Sequence, residues 1–387
     1  MRICLVYDCL FPHTVGGAER WYRNLAERLA ADGHEVTYLT LRQWDRGVDP
    51  GVPRVDVRVV GPRMALYAGP GRRRVLPPLV FGAGVLWHLL RHGRGYDVVH
   101  TASFPYFSLL AAALARPLGR YLLVVDWHEV WTLAYWREYL GPVAGAIGWI
   151  VQRACARVPQ RAFCFSRLHA ARLRDEGIRG EITALPGEYD GPLDAPRVRA
   201  ADPLVVFAGR HIPEKRVPSI LPALKRARAD MPELRATILG DGPSRAEVLR
   251  LVAELGLADA VEVPGFVSTE MVQELLARAL CMLLPSRREG YGLVVIEAAS
   301  LGTPSIVVAD PDNAAVELIA PGENGFIAPS ASPEDLAAAI LRVHAAGVDL
   351  RRSTAAWFVR NAGRMSLAHS LEVVLDTYGH LSQRVTT

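Results

Sequence analysis

Residues 279–298 of this 387-residue chain read ALCMLLPSRREGYGLVVIEA. The apolar run 279–284 is followed by a proline, a polar turn and two glycines that enclose a tyrosine, after which apolar residues return. This pattern predicts a buried strand, a turn and a helix that begins near Gly292. Glu289 then lies in the turn and Glu297 more than one turn into the helix. Because open α/β sheets bind ligands at strand ends, where backbone N–H groups can hold an anion, the two carboxylates predict a ligand site.

The same alternation of apolar runs and helical patterns extends over the whole chain. Strand-like runs occupy residues 3–7, 35–41, 55–60, 97–101, 121–126, 162–166, 204–208, 235–239, 261–263, 281–284 and 305–308. Helical patterns occupy residues 19–31, 79–90, 106–115, 144–156, 220–229, 245–254, 270–278, 293–300, 316–319, 333–344 and, as one amphipathic helix, 355–381. This alternation predicts an α/β protein with parallel sheets made of βαβ units.

The length predicts two domains. A chain of 387 residues exceeds the usual size of one domain, about 100–200 residues. The stretch 186–203 is rich in proline, glycine and charge, which indicates a boundary. We therefore assign residues 1–190 and 191–365 to two domains and residues 366–387 to a C-terminal helix. A ligand cleft is expected at the junction of two such domains.

Charge and cysteine usage exclude several classes of protein. The formal net charge of +4 is mild for this length and gives no indication of nucleic acid binding. The five cysteines form no CxxC pair, which favours free thiols in a reducing compartment over disulfides or a metal site. A strand-like run begins at the second residue, and no uncharged apolar run reaches the ~18 residues of a membrane span. We expect a cytoplasmic protein without a signal peptide.

Residues 285–297, with two glutamates around Gly-Tyr-Gly, resemble the E-x7-E signature of retaining glycosyltransferases of family 4. These nucleotide-sugar-dependent enzymes have the GT-B fold: two facing Rossmann-like domains with a cleft between them, and a C-terminal helix that crosses back to the first domain. The resemblance implies that Glu289 binds hydroxyl groups of the donor sugar and Glu297 the ribose. It also implies donor contacts, including the diphosphate at the helix start, from Gly290, Tyr291, Gly292 and Leu293.

A second element, Gly209-Arg210 followed by Lys215, resembles the family's G-R-x4-K element, in which both cations hold the donor diphosphate. Fixed positive charge at this place stabilises the charge that develops on the leaving group. Arginine binds two oxygens at once, while lysine acts as a point charge. The chain has two lysines, Lys215 and Lys225, which favours a function for Lys215 over an incidental surface charge. Arg216 stands where the family usually has glycine.

Further loops match the family in part. Gly16-Gly17 precede a helix, so their backbone can approach a phosphate at a favourable helix N-terminus. The alternative is a plain turn in which Glu19 complements the helix dipole. Residues 240–243, Gly-Asp-Gly-Pro, resemble a family loop near the nucleotide, and the resemblance places the base against the backbone around Val267.

His128 follows the predicted strand 121–126 and aligns with the family's active-site histidine, which lies against the donor sugar and the reaction centre. Its imidazole can bind a sugar hydroxyl group. A structural histidine is the alternative, and the strand-end position favours function. His128-Glu129 also begins a zinc-binding H-E-x-x-H pattern, but residue 132 is threonine, so zinc is not expected. His100 is interpreted as structural.

Several positions depart from the family or have two interpretations. Asp310-Pro311-Asp312 matches the D-x-D metal motif of another transferase fold, and we reject that role because the motif follows a late strand of the second domain. Asn313-Ala314 replace the family's glycine pair. The aromatic residues near His128 indicate either core packing, the commoner case, or a stacking platform for the acceptor; they are Trp127, Trp131, Tyr135, Trp136 and Tyr139.

Arg72-Arg73-Arg74, followed by the apolar stretch 75–90 with Trp87, also has two interpretations. One is peripheral docking on the inner face of a membrane, which basic and apolar residues favour together. The other, and the commoner outcome, is a solvated loop before a buried helix.

The elements together predict a metal-independent hexosyltransferase that moves a sugar from a UDP- or GDP-sugar to a hydroxyl acceptor with retention of configuration. The catalytic residues implied are His128, Glu289, Arg210 and Lys215. No cofactor and no nucleic acid are expected; the nucleotide sugar is a substrate, and the acceptor is a glycan, a lipid-linked sugar or a small molecule. One alternative is a GT-B sugar-nucleotide epimerase or hydrolase. The other is a non-catalytic sugar-nucleotide-binding subunit, against which the intact Glu289, Lys215 and His128 argue.

Overall fold

The computed structural model describes residues 1–14, 16–45, 47–66 and 74–385, with side chains up to residue 379. The chain divides into two compact units: Met1–Pro186 together with the C-terminal segment from Ala368, and Gly187–Leu367. Each unit has its own apolar core. Arg72 and Arg73 of the predicted membrane patch lie outside the described residues.

The described part of the first unit contains a seven-stranded parallel sheet of order β3-β2-β1-β4-β5-β6-β7. Its strands are β1 (Arg2–Val6), β2 (Glu35–Leu41), β3 (Val55–Gly61), β4 (Val98–Ala102), β5 (Leu122–Trp127), β6 (Gln160–Cys164) and β7 (Gly180–Ala184). The direction of chain progress reverses between β1 and β4. The edge strand β7 is largely exposed, and it was not predicted because it lacks an apolar run.

Helices connect these strands: α1 (Gly17–Ala31), α2 (Leu76–His92), α3 (Tyr106–Gly119), α4 (Leu133–Leu140), α5 (Pro142–Ala156) and α6 (Arg167–Asp175). The connections from β3 to β4, β4 to β5 and β5 to β6 all move in one direction across the sheet. Because crossovers between parallel strands are right-handed, α2, α3 and α5 lie on the same face of the sheet.

The second unit contains a six-stranded parallel sheet of order β10-β9-β8-β11-β13-β15 and a two-stranded sheet, β12-β14. Its strands are β8 (Leu204–Ala208), β9 (Arg235–Leu239), β10 (Val261–Gly265), β11 (Cys281–Leu284), β12 (Arg288–Glu289), β13 (Ser305–Val308), β14 (Asp312–Asn313) and β15 (Gly325–Ala328). Its helices are α7 (Ile220–Ala227), α8 (Arg245–Glu254), α9 (Thr269–Arg278), α10 (Leu293–Ala299) and α11 (Pro333–Met365). Helix α11 is interrupted by a kink at Gly347, where the backbone is not helical (φ 59, ψ −145). Two parallel-sheet, Rossmann-like domains are therefore confirmed.

The prediction of one helix over residues 355–381 is wrong. The chain leaves helical geometry at Ser366 (φ −74, ψ 147), between α11 and α12 (Leu367–Val385). At this break Tyr189 N–H donates to Met365 O at 3.2 Å, and Leu367 N–H donates to Tyr189 O at 2.7 Å. These bonds to a distant segment replace helical ones, which local periodicity cannot reveal. The predicted helix 316–319 is instead a 3-10 turn, Ala314–Leu318.

Candidate active site

The carboxyl ends of β8 and β11 carry the predicted cations and the first predicted glutamate. The two strands are neighbours, and chain progress reverses between them, which is where open α/β sheets bind ligands. Gly209 and Arg210 follow β8 directly, and a short 3-10 turn, Pro213–Lys215, comes next. Glu289 lies in the segment that follows β11. Strand order therefore brings two distant segments of sequence to one edge of the sheet.

Lys215 contacts Glu289, 74 positions away in sequence. Its Nζ donates a hydrogen bond to Glu289 Oε1, and Ser286 Oγ donates to the same oxygen at 2.6 Å. Glu289 is 7% exposed, so these donors compensate a buried carboxylate. The loops are joined a second time where Arg287 N–H donates to Glu214 O at 2.8 Å. An ammonium has three donors, so Lys215 can hold Glu289 and still bind phosphate oxygens.

Asn313 fixes this loop from the other side. Strand β14 pairs in parallel with β12, and the register places Asn313 beside Glu289. Asn313 is fully buried: its Nδ2 donates to Ser286 O at 3.1 Å and to Val308 O at 2.9 Å, and its Oδ1 accepts from Ala315 N–H at 3.0 Å. Sequence reasoning missed Ser286 and Asn313 as parts of the site. Asn313 was noted as a departure from the family, and its position after an apolar strand was the available signal.

Arg210 differs from Lys215 in its surroundings. Its side chain is exposed and has no hydrogen bond or ion pair within the described ranges. Gly209 N–H donates to Leu239 O at 3.2 Å, which joins this loop to the end of β9. Gly240 follows with φ 109, and a Cβ there would lie 2.0 Å from Gly209 O. Only glycine fits this close approach, which keeps the backbone near Arg210 compact.

Val267 lies two residues beyond the end of β10 and is half-buried. Gly240 N–H donates to Gly265 O at 2.8 Å, so the segment before Val267 lies at the same edge of the sheet as Gly209. Val267 thus follows a segment at the same edge of the sheet as Gly209, and the contact of its backbone with the base stays a prediction.

Gly292 is the residue immediately before α10. Its φ of 100 is left-handed, and a Cβ at this position would lie 2.7 Å from the Cβ of Ala315. Tyr291 is 8% exposed, and burial raises the pKa of its hydroxyl group. Leu293 opens α10, and Glu297 lies half-buried one turn further along it. Gly290, half-buried, completes the predicted Gly-Tyr-Gly turn between Glu289 and the helix.

Arg216 adopts the left-handed conformation, φ 48 and ψ 35. This geometry explains why glycine suits the position in the family, since glycine reaches it without steric cost. Arg216 Nη2 lies 3.1 Å from Asp310 Oδ2, so the first carboxylate of the D-x-D match forms an ion pair. Within the described residues there is no group of three or more His, Cys, Asp or Glu side chains that could hold a metal ion.

In the first unit, Gly16 directly precedes α1, and Gly17 is the first residue of that helix. Glu19 lies in the first turn, and its carboxylate packs against Gly16. A carboxylate at this position interacts favourably with the helix dipole. The local geometry therefore supports the plain-turn interpretation of Gly16-Gly17, while a phosphate contact stays a prediction.

His128 directly follows β5, whose last residue is Trp127. Its imidazole stacks on Phe165 with ring centroids 4.4 Å apart and lies 6.4 Å from the ring of Tyr22. Burial lowers the pKa of His128, and the charges of Asp126 and Glu129 only partly oppose this effect. His128 is therefore a neutral imidazole at pH 7.

Asp126, two residues before His128, is the centre of a buried network. Trp21 Nε1 donates to its Oδ2 at 2.7 Å, and His100 Nε2 lies 2.7 Å from its Oδ1. Burial raises the pKa of Asp126, but the charge and hydrogen bond of His100, with smaller contributions from His128 and the Trp21 hydrogen bond, together outweigh burial, so the pKa is lowered overall. His100 Nδ1 lies 2.5 Å from the hydroxyl group of Tyr378 on α12. The C-terminal helix thus contacts β4, the neighbour of the strand β5 that leads to His128.

The aromatic residues after β5 fall into two groups. Trp127, Tyr135 and Trp136 are at most 5% exposed, which agrees with core packing. Trp131 and Tyr139 are half-buried, with ring centroids 5.3 Å apart. A role of this pair in acceptor binding stays a prediction.

Two parallel sheets, the second with charged side chains at its strand-order reversal, define a Rossmann-like protein with a ligand site at that edge. A family model described as Glycosyl transferases group 1 matches residues 194–355, and one described as Glycosyltransferase Family 4 matches residues 15–187. A D-inositol 3-phosphate glycosyltransferase of Nocardioides sp. is 32% identical over 402 residues, covering 94% of this chain and 85% of the relative. The chain belongs to the group 1, family 4 glycosyltransferases. It is a nucleotide-sugar glycosyltransferase, as predicted, and the epimerase, hydrolase and non-catalytic alternatives are not favoured.

Another relative and two solved structures also match nearly the whole chain. An MMP alpha-(1->4)-mannosyltransferase of Mycolicibacterium hassiacum is 28% identical over 396 residues, which is 91% of each chain. Among solved structures, sucrose-phosphate synthase from Thermosynechococcus elongatus superposes with a TM-score of 0.80 at 21% identity, covering 99% of both chains. Anabaena Alr3699/HepE in complex with UDP and glucose has a TM-score of 0.72 at 18% identity, covering 98% of this chain and 99% of that one. These structures show that the fold is GT-B.

Proposed function

We propose that this enzyme transfers a hexose from a UDP- or GDP-sugar to a hydroxyl acceptor with retention of anomeric configuration and without a metal ion. The observation that carries the proposal is the Lys215–Glu289–Ser286 contact at the β8/β11 strand ends. It joins a cation suited to a diphosphate and a carboxylate suited to sugar hydroxyl groups. The relative crystallised with UDP and glucose supports UDP as one donor nucleotide.

The proposed reaction is a front-face displacement. The acceptor oxygen forms a bond to the anomeric carbon on the face from which the diphosphate oxygen leaves. The proton of the acceptor passes to the leaving phosphate oxygen, so no separate base is needed. Arg210 and Lys215 neutralise the charge that develops on the diphosphate.

The remaining contacts with the donor are assigned from the family motifs and from where these residues lie in the two units. Glu289 binds hydroxyl groups of the donor sugar, Glu297 binds the ribose, and the backbone around Val267 contacts the base. Neutral His128 binds the donor sugar near the anomeric carbon, and its low pKa suits a hydrogen bond rather than a positive charge beside a cationic transition state. The amides of Gly16 and Gly17 contribute to holding the diphosphate.

The cellular setting is part of the proposal. All five cysteines are buried free thiols, which supports a reducing, cytoplasmic location. No helix within the described ranges is both long and apolar enough to cross a membrane. We propose that the enzyme is a peripheral protein at the inner face of a membrane. Its acceptor is a glycan, a lipid-linked sugar or a small molecule.

The first experiment measures thermal stability with UDP, GDP, ADP or NAD, with and without EDTA. A ligand present at ~100 times its Kd adds ~2.7 kcal/mol, so binding gives a clear shift in Tm. Stabilisation by UDP or GDP that persists in EDTA is expected and identifies the donor base. A response to NAD alone would overturn the proposal.

Product analysis tests the chemistry. With the identified donor and a panel of hydroxyl acceptors, the NMR coupling of the new anomeric proton should show the configuration of the donor. An inverted product contradicts front-face displacement. Consumption of donor at an equal rate without any acceptor identifies an epimerase or hydrolase instead.

A further inference from the structure

Helices α2, α3 and α5 expose large apolar side chains at helical spacing. The exposed fractions are 43% for Leu79, 62% for Trp87 and 47% for Leu90 on α2; 70% for Leu114 and 53% for Leu118 on α3; and 73% for Val143, 58% for Ile147 and 59% for Ile150 on α5. Spacings of three, four and eight residues keep these side chains on one side of each helix, opposite the side that packs on the sheet. Single exposed apolar residues are ordinary, but aligned stripes on successive helices are not.

The three helices form one continuous layer. They cover the same face of the first sheet, and α3 packs against both α2 and α5. The approach of α2 to α3 is close, since a Cβ on Gly82 would lie 2.7 Å from the Cβ of Phe107. We call the outward side of α2, α3 and α5 the apolar helix face.

The charged side chains on these three helices are all basic. None of the residues of α2, α3 and α5 is Asp or Glu. Arginines lie at or just beyond the C-terminal ends of the helices: Arg91, Arg94, Arg116, Arg120, Arg153 and Arg157. Helix C-termini favour cations, which accounts for some of them. Arg91, Arg94, Arg120 and Arg157, however, are exposed and form no ion pair within the part of the chain that the structure describes.

A groove near the C-terminal ends of α3 and α5 is lined by three of these arginines. Its volume is about 800 Å³, and Arg116, Arg120 and Arg157 line it together with Pro117 and Pro159. Arg116 is anchored there, because its Nη1 donates to Pro159 O at 2.7 Å. On α3 the exposed Leu118 directly follows Pro117. The groove thus places positive charge beside apolar surface, the combination that a phospholipid headgroup and its acyl chains require.

We propose that the apolar helix face docks on a bilayer containing anionic phospholipids, with lipid phosphates held by the arginine groove; this inference rests on the peripheral membrane location in the proposed function and assigns the surface responsible. A lipid surface fits better than a second copy of the chain. A self-complementary interface on this face would bury arginines without any carboxylate on the same helices to pair with them. Trp87 supports the choice, since Arg91 lies 3.0 Å from the centre of its exposed ring and the two form the cation–aromatic pair suited to a membrane interface.

The test is sedimentation with vesicles of phosphatidylcholine alone or with added phosphatidylglycerol. The wild type should bind the anionic vesicles, and binding should weaken with salt. The triple variant R91Q/R120Q/R157Q should bind on the order of 100-fold more weakly, since each basic residue near the surface contributes about a fivefold effect. The variant L118S/I147S/I150S should bind the anionic vesicles more weakly by on the order of tenfold or more.

Matched controls lie on the second unit. R250Q/R352Q replaces exposed arginines that form ion pairs, and L249S/M271S/V359S replaces exposed apolar residues; both should bind like the wild type. All variants must keep the wild-type melting temperature within a few degrees. Sedimentation needs no donor or acceptor, so its result is independent of the proposed transfer reaction.

Three outcomes overturn the inference. One is absence of binding to anionic vesicles by the wild type. The second is equal loss of binding in the control variants. The third is a dimer, measured by light scattering, that L118S/I147S/I150S converts to a monomer while vesicle binding is unchanged; the apolar helix face would then be an interface between copies of this chain.

Discussion

The guanidinium group of Arg216 lies 3.1 Å from the carboxylate of Asp310, and the backbone of Arg216 is left-handed. The ion pair therefore joins the loop after β8 to the loop after β13, the two strands on either side of β11. A non-glycine residue in this conformation costs roughly 1–2 kcal/mol. The ion pair, whose side chains are 32% and 14% exposed, offsets part of that cost.

Replacing Arg216 by glycine or by alanine separates the two contributions. R216G loses the ion pair but relieves the backbone, so its free energy of unfolding should stay within about 1 kcal/mol of the wild type. R216A loses the ion pair but keeps the strain of a left-handed backbone. It should therefore be less stable than R216G by roughly 1 kcal/mol. Urea denaturation measures both. D310N removes the pair alone and serves as the control; an R216A variant as stable as R216G would contradict the account.

Lys215 should act in catalysis as well as in structure. K215A is expected to lower kcat/KM by on the order of 100-fold or more, since one charged donor to a developing anion is worth about 3–4 kcal/mol. It should also destabilise the fold by about 1–3 kcal/mol, because Glu289 then stays buried with fewer donors. Steady-state kinetics and denaturation measure the two effects. The control is K225A, which replaces an exposed lysine on α7.

The double variant K215A/E289Q, compared with E289Q alone, distinguishes the two roles of Lys215. Neutralising Glu289 removes the buried charge, so loss of Lys215 should no longer lower stability, while it should still lower activity below that of E289Q. Equal activity of K215A/E289Q and E289Q would show that Lys215 acts only through folding.

The low pKa of His128 predicts a pH dependence of stability. The unfolded chain binds a proton at the ordinary value of 6.5, while burial holds the folded group below it. The stability that depends on neutral His128 is therefore complete above pH 6.5 and is lost as the pH falls from 6.5 toward the folded value. H128Q should lose less stability than the wild type between about pH 7.5 and about pH 5. H344Q, at an exposed position on α11, is the control and should follow the wild type.

Gly292 should tolerate no side chain. G292A combines a left-handed backbone with a Cβ 2.7 Å from that of Ala315, so it should destabilise by more than the roughly 1–2 kcal/mol of backbone strain alone. Gly256 has φ 66 with nothing within 4 Å of an added Cβ, so G256A measures the backbone contribution by itself. Thermal unfolding compares the two, and G292A should also lose the Tm shift with UDP or GDP. Equal destabilisation without loss of that shift would place Gly292 outside the donor site.

Much of the fold could be predicted from local pattern. The predicted runs 35–41, 204–208, 235–239, 281–284 and 305–308 coincide with β2, β8, β9, β11 and β13. Strands covered by helices on both faces need short continuous apolar runs, which a sequence displays directly. The largely exposed edge strand β7 and the break at Ser366 carry no such signal, because exposure and pairing with Tyr189 depend on distant segments.

The sequence by itself determined the class of fold, the family and the chemical types at the site, because apolar periodicity and short motifs are local properties. Only the tertiary structure decided which of those groups meet. Strand order places the loop of Lys215 beside that of Glu289, buries Asn313 against Ser286 and joins Arg216 to Asp310. It also aligns the exposed stripes of α2, α3 and α5 on one face. These relationships depend on the order of parallel strands and the hand of their crossovers, which no window of sequence contains.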